Sequence, residues 1–303
     1  RREEESARKR CVGIDGLLMK PLKHSALLDA IMNALGRKSA ALEGPAAPLP
    51  EIYRGGSLVA EARHLKGVRV LLVEDNKINQ MVAMEILGRS GLEVKTADNG
   101  VQALDALRNG GGFDVILMDV QMPLMDGLEA STAIRGFPEF RDLPIIAMTA
   151  HAMQGDRDIC IKAGMNDYLA KPIDRRELIV KLLRWVKPKS SALEGPKDRK
   201  SAAGDLAVEK SVMLLRDAGR AAGIDMDEAL DRMLGSEELF RQVISGFAAS
   251  YRNAVVDLRA VLEGGEIEDA RHRVHALKGV AGNISAKPLY ETAKELESAI
   301  LQI

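Results

Sequence analysis

The sequence predicts two architectures in series: an α/β domain on a doubly wound five-stranded parallel sheet, then an all-α antiparallel helical bundle. Two observations carry this expectation. Between residues 68 and 187 short apolar runs alternate five times with stretches of helical period, the pattern of strands covered on both faces by helices. Beyond Gly223 the strand-like runs stop, and apolar residues recur only at helical spacing.

In the first region the strand-like runs fall at 70–73, 93–96, 115–118, 144–148 and 168–170. The amphipathic stretches between and after them lie at 78–89, 100–108, 127–135, 152–163 and 174–186. Alternation of this kind implies parallel strands joined by crossover helices. In the second region the spacing predicts helices over 226–233, 236–263, 266–284 and 286–303, with Gly264-Gly265 as a break. In the third of these Ile267, Ala270, Val274, Leu277, Ala281 and Ile284 form the expected buried stripe, which turns His275, Lys278, Gly279 and Gly282 to an adjacent, exposed face.

The chain repeats itself at a fixed offset. Lys38-Ser-Ala-Ala-Leu-Glu-Gly-Pro45 returns as Lys189-Ser-Ser-Ala-Leu-Glu-Gly-Pro196, and the same shift of 151 residues carries Leu18-Met-Lys-Pro-Leu22 onto Leu169-Ala-Lys-Pro-Ile173. A period that long is a domain duplication rather than a solenoid, whose repeats run about 20–50 residues. Residues 1–37 therefore read as the tail of another copy of the domain at 67–187, in which Leu17 stands where Tyr168 does. Composition marks linkers at 38–66 and 188–222, the second with a short helix expected over 206–222, and the helical domain at 223–303. With no initiator Met and an opening inside a repeat unit, the chain is expected to be part of a longer polypeptide.

Bulk composition excludes several function classes. Lys+Arg 43 against Asp+Glu 44, with only 3% aromatic residues, offers neither a phosphate-backbone grip nor base-stacking platforms, so direct nucleic-acid binding is not expected. No stretch approaches the roughly 18–20 apolar residues that span a bilayer, so this segment is not expected to be membrane-embedded. Cys11 and Cys160 lack metal-type spacing and read as ordinary thiols of a reducing, cytoplasmic environment.

In doubly wound sheets the working groups sit beyond the carboxyl ends of the strands. Glu74 and Asp75 follow the first run, Asp119 the third, Thr149 the fourth and Lys171 the fifth, so these five are expected to converge on one edge. Three carboxylates held together repel, by about 4 kcal/mol per pair at 4 Å and an effective dielectric near 20, and call for a cation. Oxygen ligands without His or Cys select a hard ion such as Mg²⁺, which suits phosphoryl transfer.

On the predicted third helix of the second region, His275 is followed by Gly279 one turn on and Gly282 two turns on. Each glycine costs a helix about 1 kcal/mol relative to Ala, which calls for a reason. A bare flank beside an exposed imidazole would let another protein's active-site loops approach it. A neutral ring nitrogen can act as a nucleophile, and Lys278 could offset incoming phosphoryl charge. His272 and His275 share a helix face, yet zinc sites take three or four ligands and no third His or Cys is near. His151 reads as a loop residue beside the carboxylates.

Residues 68–187 resemble a response-regulator receiver domain, of flavodoxin-like fold, through Leu71-Leu-Val-Glu-Asp75, Leu117-Met-Asp-Val-Gln-Met-Pro-Leu-Met-Asp-Gly127, Met148-Thr-Ala150 and Tyr168-Leu-Ala-Lys-Pro172. The resemblance implies that Asp119 is the phosphoacceptor and that Glu74, Asp75, Asp119 and the Gln121 backbone carbonyl bind Mg²⁺. It further implies that Lys171 and Thr149 hold the phosphoryl oxygens and that the Tyr168 rotamer reports phosphorylation; an aromatic there could also simply pack on the sheet. Residues 226–303 resemble a histidine-containing phosphotransfer domain through His275-Ala-Leu-Lys-Gly279, Gly282-Asn283 and Leu296-Glu297. By that resemblance His275 is phosphorylated, Lys278, Gly279, Gly282 and Asn283 are supporting positions, and one further bundle helix is expected beyond Ile303.

Together the two resemblances imply a two-component phosphorelay within the carboxy-terminal part of a hybrid sensor histidine kinase. Its partners would be a kinase core, which alone would use ATP and lies outside this chain, and a downstream receiver. The parent protein could be anchored in the inner membrane. A stand-alone relay protein and a non-catalytic signalling scaffold are the alternatives.

Overall fold

Runs of Val, Ile, Leu and Met form the strands β1 (Arg69–Val73), β3 (Val115–Asp119) and β4 (Ile145–Thr149), and the mixed sequences Glu-Val-Lys-Thr-Ala and Asp-Tyr-Leu-Ala form β2 (Glu93–Ala97) and β5 (Asp167–Ala170). In this computed structural model residues 62–150, 154–186 and 219–302 are described, all within the unit Pro48–Ile303. The remnant expected at 1–37, most of both linkers, Cys11 and His151 lie outside the described residues. The strands make one all-parallel sheet in the order β2-β1-β3-β4-β5. Strands β3 and β4 are buried throughout, as their unbroken apolar sequences require, whereas β2 lies at an edge and alternates, leaving Glu93 and Lys95 exposed.

Four crossover helices, α1 (Lys77–Arg89), α2 (Gly100–Arg108), α3 (Gly127–Arg135) and α4 (Gln154–Lys162), join the strands, and a fifth helix, α5 (Arg175–Trp185), follows β5. Short polar side chains start four of them. Asn76, Asn99, Asp126 and Asp174 each accept a hydrogen bond from a first-turn amide, and Asp126 and Glu129 complete a capping box. Helices α1 and α5 bury against one face of the sheet and α2, α3 and α4 against the other, so the working ends of β1 and β3 meet at the point where strand order reverses.

The helical region comprises α6 (Met226–Arg232), α7 (Glu237–Ser250), α8 (Ala254–Glu263), α9 (Ile267–Asn283) and α10 (Lys287–Ile300). The single helix expected over 236–263 is two, broken at Tyr251–Asn253. Ser, Tyr and Asn are mediocre helix formers, and the Tyr251 hydroxyl accepts a 2.9 Å hydrogen bond from Asn76 Nδ2 of the α/β domain. Helices α8, α9 and α10 enclose a small apolar core around Ala270, Val274, Ala293 and Ile300.

The two regions are not merely tethered. The apolar cluster over the α1 and α5 face of the sheet runs on into Met226, Met233, Phe240, Val243, Val280 and Ile284 of the bundle. Helix α7 crosses α1 where Gly246 meets Ile78, and Arg89 Nη1 donates to the Leu234 carbonyl at 2.8 Å. Both linker boundaries also shift: Ala62 and Leu65 are already buried in the sheet's core, and Gly219 already packs on Met226.

Candidate functional site

At the carboxyl edge of the sheet, the side chains of Glu74, Asp75 and Asp119 bring carboxylate oxygens within 4.8 Å of one another. Lys171, just past β5, reaches across: its Nζ lies 2.6 Å from Glu74 Oε2 and 2.7 Å from Asp119 Oδ2. Burial alone would lower the Lys171 pKa, but the facing Asp119 and Glu74 carboxylates outweigh it and hold the ammonium charged. Desolvation, reinforced by Glu74 and only partly offset by Lys171, pushes Asp119 up to about 8. Burial and Glu74 likewise raise Asp75. One ammonium does not balance three acids, so the donor set fits a further hard cation.

The loop after β3 is shaped around Asp119. The Gln121 amide donates to Asp119 Oδ1 at 3.3 Å, and the Gly127 amide donates to the Val120 carbonyl at 3.0 Å. A Cβ on Gly127 would stand 2.1 Å from the Asp119 carbonyl oxygen, so only glycine lets α3 begin that close to the strand end. Thr149 ends β4 on the same edge. Tyr168 stands apart from this cluster, half-buried, with the Lys181 ammonium 4.4 Å and the Arg157 guanidinium 5.5 Å from its ring centre.

His275 comes from α9, and the expected exposure is reversed: the residue is 7% exposed. Of the expected stripe Ala270, Val274, Ala281 and Ile284 are buried but Ile267 and Leu277 only half-buried, and the sheet domain covers the flank that was to be exposed. Its Nδ1 lies 2.7 Å from Glu297 Oε1 on α10, while Glu297 Oε2 pairs with Lys278, itself 1% exposed. A carboxylate only accepts, so Nδ1 carries the proton and Nε2 keeps its lone pair. Burial holds His275 below its ordinary pKa despite the Glu297 contact. Burial would raise Glu297, but His275 and Lys278 outweigh it and hold the carboxyl at about 2. Lys278 is thus tied to Glu297 rather than presented to an incoming anion.

The glycines act as expected in kind, but their neighbour belongs to the same chain. A Cβ on Gly279 would lie 2.9 Å from Asn79 Nδ2, and one on Gly282 would lie 3.3 Å from Pro172 Cδ. Asn283 Nδ2 donates to Asn79 Oδ1 at 2.8 Å, and Asn79 Nδ2 donates to Glu74 Oε1 at 2.8 Å. Asp119, Gln121, Thr149 and His275 consequently line one cavity of about 130 Å³, with Leu128, Ile159 and Cys160 as its apolar wall. In that measure a water needs only about 10–15 Å³, so a phosphoryl group has room between the two residues.

Sequence reasoning gave no role to Glu297 or to Asn79. The signal for Asn79 was a pair of amides, Asn79 and Gln80, on the otherwise apolar face of α1; for Glu297 it was an acid on the buried side of α10. The depressed Glu297 value carries a pH consequence. A carboxyl held at about 2, against an ordinary 4.5, stabilises the fold fully above pH 4.5 and loses that contribution as pH falls towards 2. The urea midpoint of the chain is expected to drop across that window, and Glu297→Gln to flatten that part of the drop.

Residues 70–183 match the response-regulator receiver domain family, and residues 242–302 match the Hpt domain family. The chain belongs to these families: it is a receiver domain followed by an Hpt domain, the components of a two-component phosphorelay. It is 34% identical over 237 residues to the sensor histidine kinase GacS of Pseudomonas protegens, covering 76% of this chain and 24% of that protein. It is 32% identical over 276 residues to the signal transduction histidine-protein kinase BarA of Shigella flexneri, covering 89% of this chain and 27% of that one. The chain thus spans about a quarter of the length of the curated relatives it matches. A crystal structure of the receiver domain of a sensor histidine kinase from Pseudomonas aeruginosa, with a magnesium ion coordinated in its active site cleft, is 47% identical over 39% of this chain and 97% of that one, with a TM-score of 0.37. Among the described residues, no helix is long and apolar enough to cross a membrane.

Proposed function

We propose that Asp119 accepts a phosphoryl group and exchanges it directly with His275 of the same chain, as a relay segment of a hybrid sensor histidine kinase. The observation that carries this reading is the single cavity lined by both residues. Mg²⁺, held by Glu74, Asp75, Asp119 and the Gln121 carbonyl, would neutralise charge on the phosphoryl oxygens. Lys171 holds the Asp119 carboxylate as it forms or leaves, and Thr149 offers its hydroxyl to a phosphoryl oxygen. In the forward step the His275 Nε2 lone pair forms a bond to phosphorus while the bond from phosphorus to the Asp119 carboxylate oxygen breaks. Glu297 stabilises the cationic ring that results, through the Nδ1 proton. The reverse step uses the same groups. Tyr168 serves as the switch residue on the far side of β5, and Lys278, Gly279, Gly282 and Asn283 support the histidine helix.

Residues 1–37 form the tail of an additional receiver, and the parent protein supplies the ATP-dependent kinase core and passes the phosphoryl group to a downstream receiver. This segment works in the cytoplasm. The test is incubation with Mg²⁺ and acetyl phosphate, followed by gels that separate phosphorylated protein. The wild type is expected to carry a base-labile acyl phosphate and an acid-labile histidine phosphate, His275→Gln only the first, and Asp119→Asn neither. EDTA removes both signals. Undiminished histidine phosphate in Asp119→Asn would overturn the reading.

A further inference from the structure

Asn79 occupies the first turn of α1, 7% exposed, with its backbone amide capped by Asn76. Its carboxamide has both ends engaged across the domain boundary. The oxygen accepts from Asn283, two turns beyond His275 on α9, and the nitrogen donates to Glu74. Glu74 meets Lys171 through its other oxygen, and Lys171 meets Asp119. Four hydrogen bonds therefore run from the histidine helix to the phosphoacceptor, through one primary amide that is neither a site carboxylate nor a lysine. A second polar contact between the start of α1 and the bundle, Asn76 to Tyr251, ends on α7's boundary and does not touch α9.

We propose that Asn79 is the positioning residue that sets the register of the histidine helix against the acid cluster, and so the aim of His275 at Asp119. The proposal rests on the exchange proposed above. A helix rises about 1.5 Å and turns about 100° per residue, so fixing Asn283 fixes both the axial position and the rotation of the ring eight residues before it. Gly279, directly over the amide, leaves it room. The chemistry is specific to a carboxamide. Aspartate would set an acceptor against Glu74 and lose the donor, and an aliphatic side chain would offer Asn283 and Glu74 nothing. Asn79 touches no reacting atom, and its effect passes through the helix it holds.

The test uses the full chain with Asn79→Ala, Asn283→Ala and the double variant. Alanine suits both helical positions, so folding is retained. One readout is the single-turnover rate from Asp119 acyl phosphate to His275. Each single change is expected to slow transfer about tenfold, the value of one well-placed hydrogen bond, and the double change to slow it little further, because the two residues share one contact. Acyl phosphate formation in Asn283→Ala, measured in a His275→Gln background, stays at the wild-type rate. The second readout is modification of His275 by diethyl pyrocarbonate, without Mg²⁺ or phosphodonor, which is expected to accelerate several-fold in either single variant. An additive, roughly hundredfold loss in the double variant, or unchanged His275 modification in Asn79→Ala, would overturn the proposal. If the wild type transfers nothing, the exchange reading fails on that result, and the modification arm still decides whether Asn79 holds the helix.

Discussion

Gly279→Leu is expected to slow phosphoryl transfer from Asp119 to His275 by about a hundredfold or more while leaving the phosphorylation of Asp119 intact. The first atom added, Cβ, already falls 2.9 Å from Asn79 Nδ2, and that amide is held at both ends by Asn283 and Glu74. Moving it aside would break both of those bonds, so α9 is expected to back away from α1 instead. A displacement of about 1 Å is enough to cost such a factor where reacting atoms must meet in line. Gly282→Ala makes a useful comparison. Its Cβ would lie 3.3 Å from Pro172 Cδ, a contact that relaxes with a few tenths of an ångström of movement, so its loss is expected to be much smaller. The check is the acid-labile signal per mole of acyl phosphate formed, and equal transfer in Gly279→Leu and wild type would place the working contact elsewhere.

Glu297→Ala is expected to destabilise the Hpt domain by about 3–5 kcal/mol, the cost of stranding a buried charge. Glu297 is 2% exposed and partners both the Lys278 ammonium and the His275 Nδ1 proton. Its removal leaves Lys278, 1% exposed, buried without that counter-charge. Replacing both members of the pair, as in Lys278→Met with Glu297→Leu, removes the charge together with its partner and is expected to recover most of the loss. Denaturant unfolding of the wild type and the two variants measures this. A double variant no more stable than Glu297→Ala would mean that shape, not charge, sets the cost. Transfer distinguishes the two further, because the double variant also lacks the acceptor that fixes the His275 tautomer and should remain slow although folded.

The receiver half was legible almost residue by residue because its determinants are local. Apolar runs bounded by Asn, Asp and Gly gave β1 to β5 and their helices within a residue or two, and the rule that function sits beyond the strand ends gathered Glu74, Asp75, Asp119, Thr149 and Lys171. Tyr168 was reached through resemblance alone, and its place between Lys181 and Arg157 reflects packing that periodicity does not encode. What the sequence hid was contact between the two regions. The exposed face expected for His275 is a buried one because α1 and the Lys171–Pro172 loop cover it, and the break at Tyr251 follows a hydrogen bond to a residue 175 positions away. The same distance in sequence hid Asn79 and Asn283, whose amides look like ordinary polar helix residues until they are set opposite each other.

The central claim is that one chain carries donor and acceptor within a single shared cavity. The most direct measurement is the rate at which phosphoryl moves from Asp119 to His275 in a single turnover, followed over about a hundredfold range of protein concentration. A first-order rate independent of concentration is predicted, with no transfer when Asp119→Asn and His275→Gln chains are mixed at the dilute end of that range. A rate that rises in proportion to concentration, with transfer restored in the mixed sample, would contradict it.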